Sequence, residues 1–137
     1  MQFRKILILI AVLGFALAGC GSSAPASEID VTLDEFKMNP TSWTVAAGEQ
    51  ITINITNDGT VGHEWVILQD GVTIASEADL PETEEELLAD FVYWEEEVDP
   101  GNTGTFTFTA PAAGTYQVIC AIEDHFNGGM EAELITK

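Results

Sequence analysis

Between residues 120 and 130 the chain reads Cys-Ala-Ile-Glu-Asp-His-Phe-Asn-Gly-Gly-Met, which places a thiol, an imidazole and a thioether in order with four residues between successive members. Sulfur and imidazole together select copper or zinc over hard cations such as magnesium or calcium. A trigonal copper site with two imidazoles, one thiolate and a weak axial thioether needs one more nitrogen ligand. The chain has two histidines, and the other is His63. The candidate ligand set is therefore His63, Cys120, His125 and Met130. Both histidines are used by that one ion, which leaves none for a second, catalytic copper. Cys120 has no neighbouring cysteine with which to build a binuclear thiolate centre. The chemistry these residues offer is that of a single metal ion, and an enzyme is not expected.

Such a set needs rigid elements to hold it, and the apolar pattern supplies strands. Ile29, Val31 and Leu33 alternate with polar residues, as do Ile51, Ile53 and Ile55, and Phe106 and Phe108. Alternation of period two marks half-buried strands, here read as antiparallel. Further strands are expected at Ser42–Ala46, His63–Leu68, Thr115–Cys120 and Glu131–Ile135. Turn signals separate them at Asn39-Pro40, Ala47-Gly48, Asn57-Asp58-Gly59, Asp99-Pro100-Gly101 and Ala113-Gly114. The expectation is an all-β Greek-key sandwich of seven to eight strands. In the strand before the ligand loop, Cys120 is in phase with Tyr116 and Val118, so its sulfur points toward the core. One stretch departs from period two. Leu87, Leu88, Phe91 and Val92 recur at helical spacing, with a capping box at Thr83 and Glu86, and predict one inserted amphipathic helix over Pro81–Trp94.

Residues 1–19 place Arg4 and Lys5 before an apolar run from Ile6 to Ala18. The run is shorter than the roughly 20 residues a spanning helix needs and has the layout of a secretory leader. Leu17-Ala18-Gly19-Cys20 resembles a bacterial lipobox, so Cys20 is the expected lipidation site. Residues 20–27 read as a flexible tether and 28–137 as one domain. The expected location is extracytoplasmic, with the lipid anchored in the membrane. If Cys20 carries lipid, Cys120 has no disulfide partner, and a lone thiol in an oxidising compartment needs a task for its sulfur.

All 23 acids follow Cys20, while only Lys37 and Lys137 remain as cations, a net charge of −21 beyond the leader. Nucleic acid and anionic lipid headgroups are poor partners for such a surface, whereas a cationic redox protein such as a cytochrome suits it. Eleven of the acids fall between Glu77 and Asp99. Glu84, Glu85, Glu86, Glu95, Glu96 and Glu97 form the candidate docking patch, and a solvated, salt-adapted face is the competing reading. The domain is expected to act as a monomer.

Residues 28–137 resemble the cupredoxins. The resemblance rests on Phe36-Lys-Met-Asn-Pro40, Ala47-Gly48-Glu49, Asn57-Asp-Gly59 followed by Gly62-His63, Pro100-Gly101, and Pro111-Ala-Ala-Gly-Thr-Tyr116 leading to Cys120. The C-x4-H-x4-M spacing is most similar to rusticyanin and sulfocyanin. The resemblance implies one type 1 copper, with His63, Cys120 and His125 in a plane and Met130 axial, serving one-electron transfer. It also implies that the edge of His125 carries the electron out through a surface patch, here Gly62, His125, Phe126, Gly128 and Gly129. Two positions depart from the family. Glu64 follows the first histidine where many members have an Asn that ties the two ligand loops together, which puts that tie in question. Glu123-Asp124 stands where relatives of this spacing often have Pro-Gly; either carboxylate could approach the copper and alter its colour or potential, and the favoured reading is that both face solvent. A copper carrier or store remains the alternative with the same ligands. A metal-free immunoglobulin-like binding module fits the sandwich but not the ligand order.

Overall fold

The computed structural model describes residues Ala24–Lys137. The leader and Cys20 lie outside the described residues. Nine strands form two sheets. The first contains β1 (Glu28–Asp34), β2 (Lys37–Asn39), β4 (Gln50–Asn57) and β7 (Thr103–Thr109), in the order β2-β1-β4-β7. The second contains β3 (Ser42–Val45), β5 (His63–Leu68), β6 (Val92–Val98), β8 (Gly114–Ile119) and β9 (Glu131–Thr136), in the order β3-β9-β8-β5-β6. Backbone pairing starts before β1, because the Ala26 amide donates to the Thr44 carbonyl and Ser27 accepts from Thr52.

The alternating residues meet between the sheets. Val31, Leu33, Ile51, Ile53 and Ile55 face Trp65, Ile67, Val118 and Leu134, all of them essentially without solvent contact. Each such side chain contributes about 1.5–3 kcal/mol on burial. Trp65 is the centre of an aromatic group, with Trp43 and Trp94 edge-on at 5.5 and 5.8 Å and Phe108 at 5.9 Å. Two pairings are parallel where antiparallel neighbours were expected: β1 with β4 and β3 with β9. The cause is the crossover at Asn39-Pro40, which sends the chain from β2 to the opposite sheet and back, so that β4 re-enters beside β1 in the same direction.

The inserted helix is much shorter than Pro81–Trp94. One α-helical turn, Glu84–Glu86, continues into a single π-helical turn, Leu87–Phe91, and the chain is extended from Val92. Thr83 does cap it, accepting from the Glu86 amide at 3.3 Å. Trp94 ends the helix because its ring belongs to the Trp65 group across the sheet, which only a strand paired with β5 can reach. The segment between β5 and β6 instead covers the outer face of the second sheet. Val66, Leu68, Ile74, Ile119 and Phe126 form a second buried cluster under Val72, Leu80, Phe91 and Val92. That cover explains why β5 is buried on both faces beyond Glu64. No helix among the described residues is long and apolar enough to cross a membrane.

The C-terminal ends of β1 and β4 lie at the same end of the first sheet. The start of β5, the end of β8 and the start of β9 share one end of the second. Buried Asn57 fastens this end: its amide donates to the carbonyls of Val61 and Val98, each at 2.8 Å, and its side-chain oxygen accepts from Gly59 at 2.9 Å. Asn57→Ala strands the Val98 carbonyl and the Gly59 amide in a buried place and the Val61 carbonyl in a part-buried one. It is expected to cost about 3 kcal/mol or more in urea unfolding of the metal-free domain, since each orphaned group costs about 1–3 kcal/mol. Half-buried Asn54→Ala, whose bonds to Glu28, Asp30 and Thr105 lie at the surface, serves as the control and should cost well under half of that.

Candidate metal centre

His63 is the first residue of β5, Cys120 follows directly after β8, and Met130 directly precedes β9. Strand geometry therefore delivers three of the four candidate ligands to one end of one sheet. His125 arrives on the 120–130 loop, which is closed by its own backbone. The Cys120 amide donates to Met130 at 3.2 Å, the Met130 amide to His125 at 3.2 Å, and the His125 amide to Ile122 at 3.0 Å.

The donor atoms of His63, Cys120 and His125 all lie within 4.8 Å of one another, and all three residues are buried. His63 Nδ1 is 3.2 Å from His125 Nδ1, and Cys120 Sγ is 3.3 Å from the same nitrogen. Three groups rich in lone pairs thus converge on one point. Met130 is fully buried on the same loop. Burial, then the neighbouring His125, lowers the pKa of His63, which keeps that imidazole neutral and able to ligate. Burial pushes the Cys120 thiol up to about 11, against the hydrogen bonds from the Glu64 and Ile122 amides. A metal ion taken up here must therefore displace the thiol proton. A thiolate with two imidazoles is a soft, closed donor set suited to copper. Glu123 and Asp124 are exposed, as their solvent-facing reading has it.

The link between the ligand loops is present, but a carboxylate makes it. Glu64 accepts from the Ala121 amide at 3.2 Å, and its own amide donates to Cys120 Sγ at 3.4 Å. Glu64 thereby spans both loops, the part the resemblance reserved for Asn. Its surroundings are acidic. Glu64 faces Glu97 across the β5–β6 pair and, with Glu84, lines a cavity of about 290 Å³ under Leu80 and Leu87. Burial first, then Glu95, raises its carboxyl to about 7, with Glu97 and Glu84 adding to the rise and the Ala121 amide opposing it.

The structure brings the two halves of the acidic run together. Glu84 on the helical turn and Glu95 and Glu97 on β6 act on one another closely enough to raise Glu95, whose burial is the larger cause. Glu85, Glu86 and Glu97 are exposed, and Glu96 is half-buried. Gly62 adjoins this edge, since a Cβ there would lie 2.8 Å from Glu97 Oε1. Of the other residues expected around the exit, Gly128 and Gly129 are exposed. Phe126 is not at the surface: it packs inward, in the second cluster. The exposed apolar side chains near the ligands are Phe36 and Val61, each 44% exposed. Phe36 meets His125 edge to face, with centroids 5.7 Å apart. Phe36 appeared in the sequence only as part of a motif, and nothing in its spacing signalled contact with a ligand.

A family model described as a cupredoxin-like domain matches residues 6–135. The chain belongs to the cupredoxin-like family. Among relatives of this cupredoxin, auracyanin-A of Chloroflexus aurantiacus is 29% identical over 88% of the chain and 89% of its own length. Auracyanin-B of the same organism is 26% identical over 82% of the chain and 53% of its own length. The crystal structure of dithionite-reduced auracyanin from Roseiflexus castenholzii superposes with a TM-score of 0.68 at 27% identity, covering 83% of this chain and 99% of that one. The structure of auracyanin A, described as a "blue" copper protein, superposes with a TM-score of 0.64 at 28% identity, covering 83% of this chain and all of that one.

The raised carboxyl of Glu64 makes a prediction for the metal-free domain. A carboxyl near 7 in the folded state and 4.5 in the unfolded state binds more proton when folded, so the domain loses stability as pH rises from about 4.5 to 7. Glu64→Gln keeps an acceptor for the Ala121 amide and removes the titration. Because buried His63 tilts stability the opposite way in both proteins, the readout is the difference: the parent's urea midpoint should fall relative to that of Glu64→Gln as pH rises across that range. Parallel slopes for the two proteins would contradict the assignment.

Proposed function

We propose that this cupredoxin is a type 1 blue-copper protein carrying single electrons, in which His63, Cys120 and His125 would hold the copper together with Met130 as the weakest of the four ligands. The observation that carries the reading is the convergence of two imidazole nitrogens and a thiol sulfur, all buried, within 4.8 Å. The description of auracyanin A as a blue copper protein supports it. Copper bound here supplies a one-electron Cu(I)/Cu(II) couple. The chain's own residues do the rest. The closed 120–130 loop and the Glu64 tie hold the donors in one arrangement, and the buried site excludes water. Holding one geometry for both oxidation states keeps rearrangement small when an electron moves. His125, 8% exposed beneath Phe36, is the residue through which an electron would leave.

Cys20 and the leader make this an exported, lipid-anchored protein in the same reading, tethered close to a membrane surface on its extracytoplasmic side. Its partner is a cationic redox protein such as a cytochrome, docking on the acidic edge formed by Glu84, Glu85, Glu86, Glu95, Glu96 and Glu97. That edge adjoins Gly62, one of the residues proposed around the exit.

The Cu(II)-loaded domain should absorb intensely in the visible through thiolate-to-copper charge transfer, and Cys120→Ser should abolish that colour. A coloured, fully loaded Cys120→Ser protein would sink the assignment. Docking has its own readout. Electron transfer to a basic cytochrome should slow steeply with salt, because attraction is screened over about 10 Å at 0.1 M. Charge-neutralising triple variants at Glu84, Glu85 and Glu86, or at Glu95, Glu96 and Glu97, should slow association far more than the same change at Glu28, Asp30 and Asp34. Equal, modest losses in all three would leave charge acting only globally.

A further inference from the structure

The copper ligands come from two loops, residues 58–63 and 120–130, yet a third segment touches both. The turn between β1 and β2 contains Glu35 and Phe36 and donates no ligand. The Glu35 carboxylate accepts from both the amide and the hydroxyl of Thr60, the latter at 2.8 Å. Those two bonds, the amide first, hold its pKa down to about 2, so it remains an anionic acceptor. Thr60 is next to Gly59, and Gly59 backs directly on His63. A Cβ at residue 59 would lie 2.8 Å from His63 Nε2, 3.0 Å from Glu35 Oε1 and 3.1 Å from Asn57 Oδ1. Any shift of residues 59–60 therefore presses on, or releases, the ring of His63. That ring has no hydrogen bond at Nε2 to hold it, although the atom is buried.

Phe36 does for the second loop what Glu35 does for the first. Its ring meets His125 edge-on, and it fills the space beside Gly128, where a Cβ would collide with it. Phe36 has φ 59°, the left-handed region that costs an aromatic residue strain and suits glycine. A strained, 44% exposed aromatic residue that packs on a ligand is a local cost borne for position.

We infer that the Glu35–Phe36 turn is a third positioning element of the metal centre, with Glu35 fixing the loop behind His63 and Phe36 fixing the ring of His125. The part of this that concerns copper rests on the blue-copper reading, whereas the part that concerns the loops does not. Three variants of the whole domain separate them. In the metal-free protein, Glu35→Ala should speed hydrogen exchange of the Thr60 amide at least tenfold while leaving core amides such as Ile53 unchanged. Glu35→Gln, which keeps an acceptor oxygen, should stay within about threefold of the parent, because neutral hydrogen bonds retain part of the strength of charged ones. In the copper-loaded protein, Glu35→Ala should speed copper release to a chelator roughly tenfold or more, the usual scale for losing a group that orients a ligand.

Phe36→Gly provides the reading that a merely structural residue cannot give. It relieves the positive φ, so the melting temperature should hold or rise while copper release quickens tenfold. Unchanged Thr60 exchange in Glu35→Ala, or stability and copper retention falling together in Phe36→Gly, overturns the proposal. A domain that takes no copper would refute the blue-copper reading instead, and the exchange measurement would still decide the role of Glu35.

Discussion

Two buried imidazoles and a buried thiol, with their donor atoms 3.2 to 3.3 Å apart, cannot satisfy one another. Two nitrogens can share one proton, and the thiol has one more to offer, while the backbone amides of Glu64 and Ile122 reach only the lone pairs of the sulfur. Desolvation without partners is costly, and charging His63 is opposed by its burial. A soft cation at the centre removes the conflict in one step by taking all these lone pairs at once. Everything around the centre serves to keep the donors together before that cation arrives.

The sandwich does this by bringing the two sheets' ends to the same place. Residues of β5, β8 and β9 are anchored by the Trp65 and Val118 side of the core, so His63, Cys120 and Met130 inherit the rigidity of the strands they flank. The loops that extend past those strands are then tied by single polar groups: Asn57 to Val61 and Val98, Glu64 to Ala121, Glu35 to Thr60. The insert between β5 and β6 adds an apolar cover on the far side, where Phe126 joins the ligand loop to Leu68 and Ile74. Glu77 also accepts from the Asp124 amide and so reaches that loop from the same insert.

The strands with one buried face were readable because period two reports burial directly: Ile29-Val31-Leu33 and Ile51-Ile53-Ile55 lie in the core as the alternation requires. The ligand loop was readable because its residue types have few other uses together. β6 was not, since Leu87, Leu88, Phe91 and Val92 satisfy a helical period while Trp94 answers to a ring on another strand. The short edge strand β2 is three residues long and carries no period at all. The Glu64 tie was hidden because the family places an amide side chain there, and a carboxylate can accept from a backbone amide in its stead. Phe36 was hidden for a different reason: its contact depends on a positive φ that no aromatic residue advertises.

The claim on which the rest depends is that a thiolate and two imidazoles hold one copper in a trigonal geometry. Electron paramagnetic resonance of the Cu(II)-loaded domain tests it most directly. Delocalisation of the unpaired spin onto the Cys120 sulfur should compress the parallel copper hyperfine splitting, with one such copper per chain. The wide splitting of a tetragonal nitrogen and oxygen site would contradict the account, because that geometry belongs to ligands other than the ones assembled here.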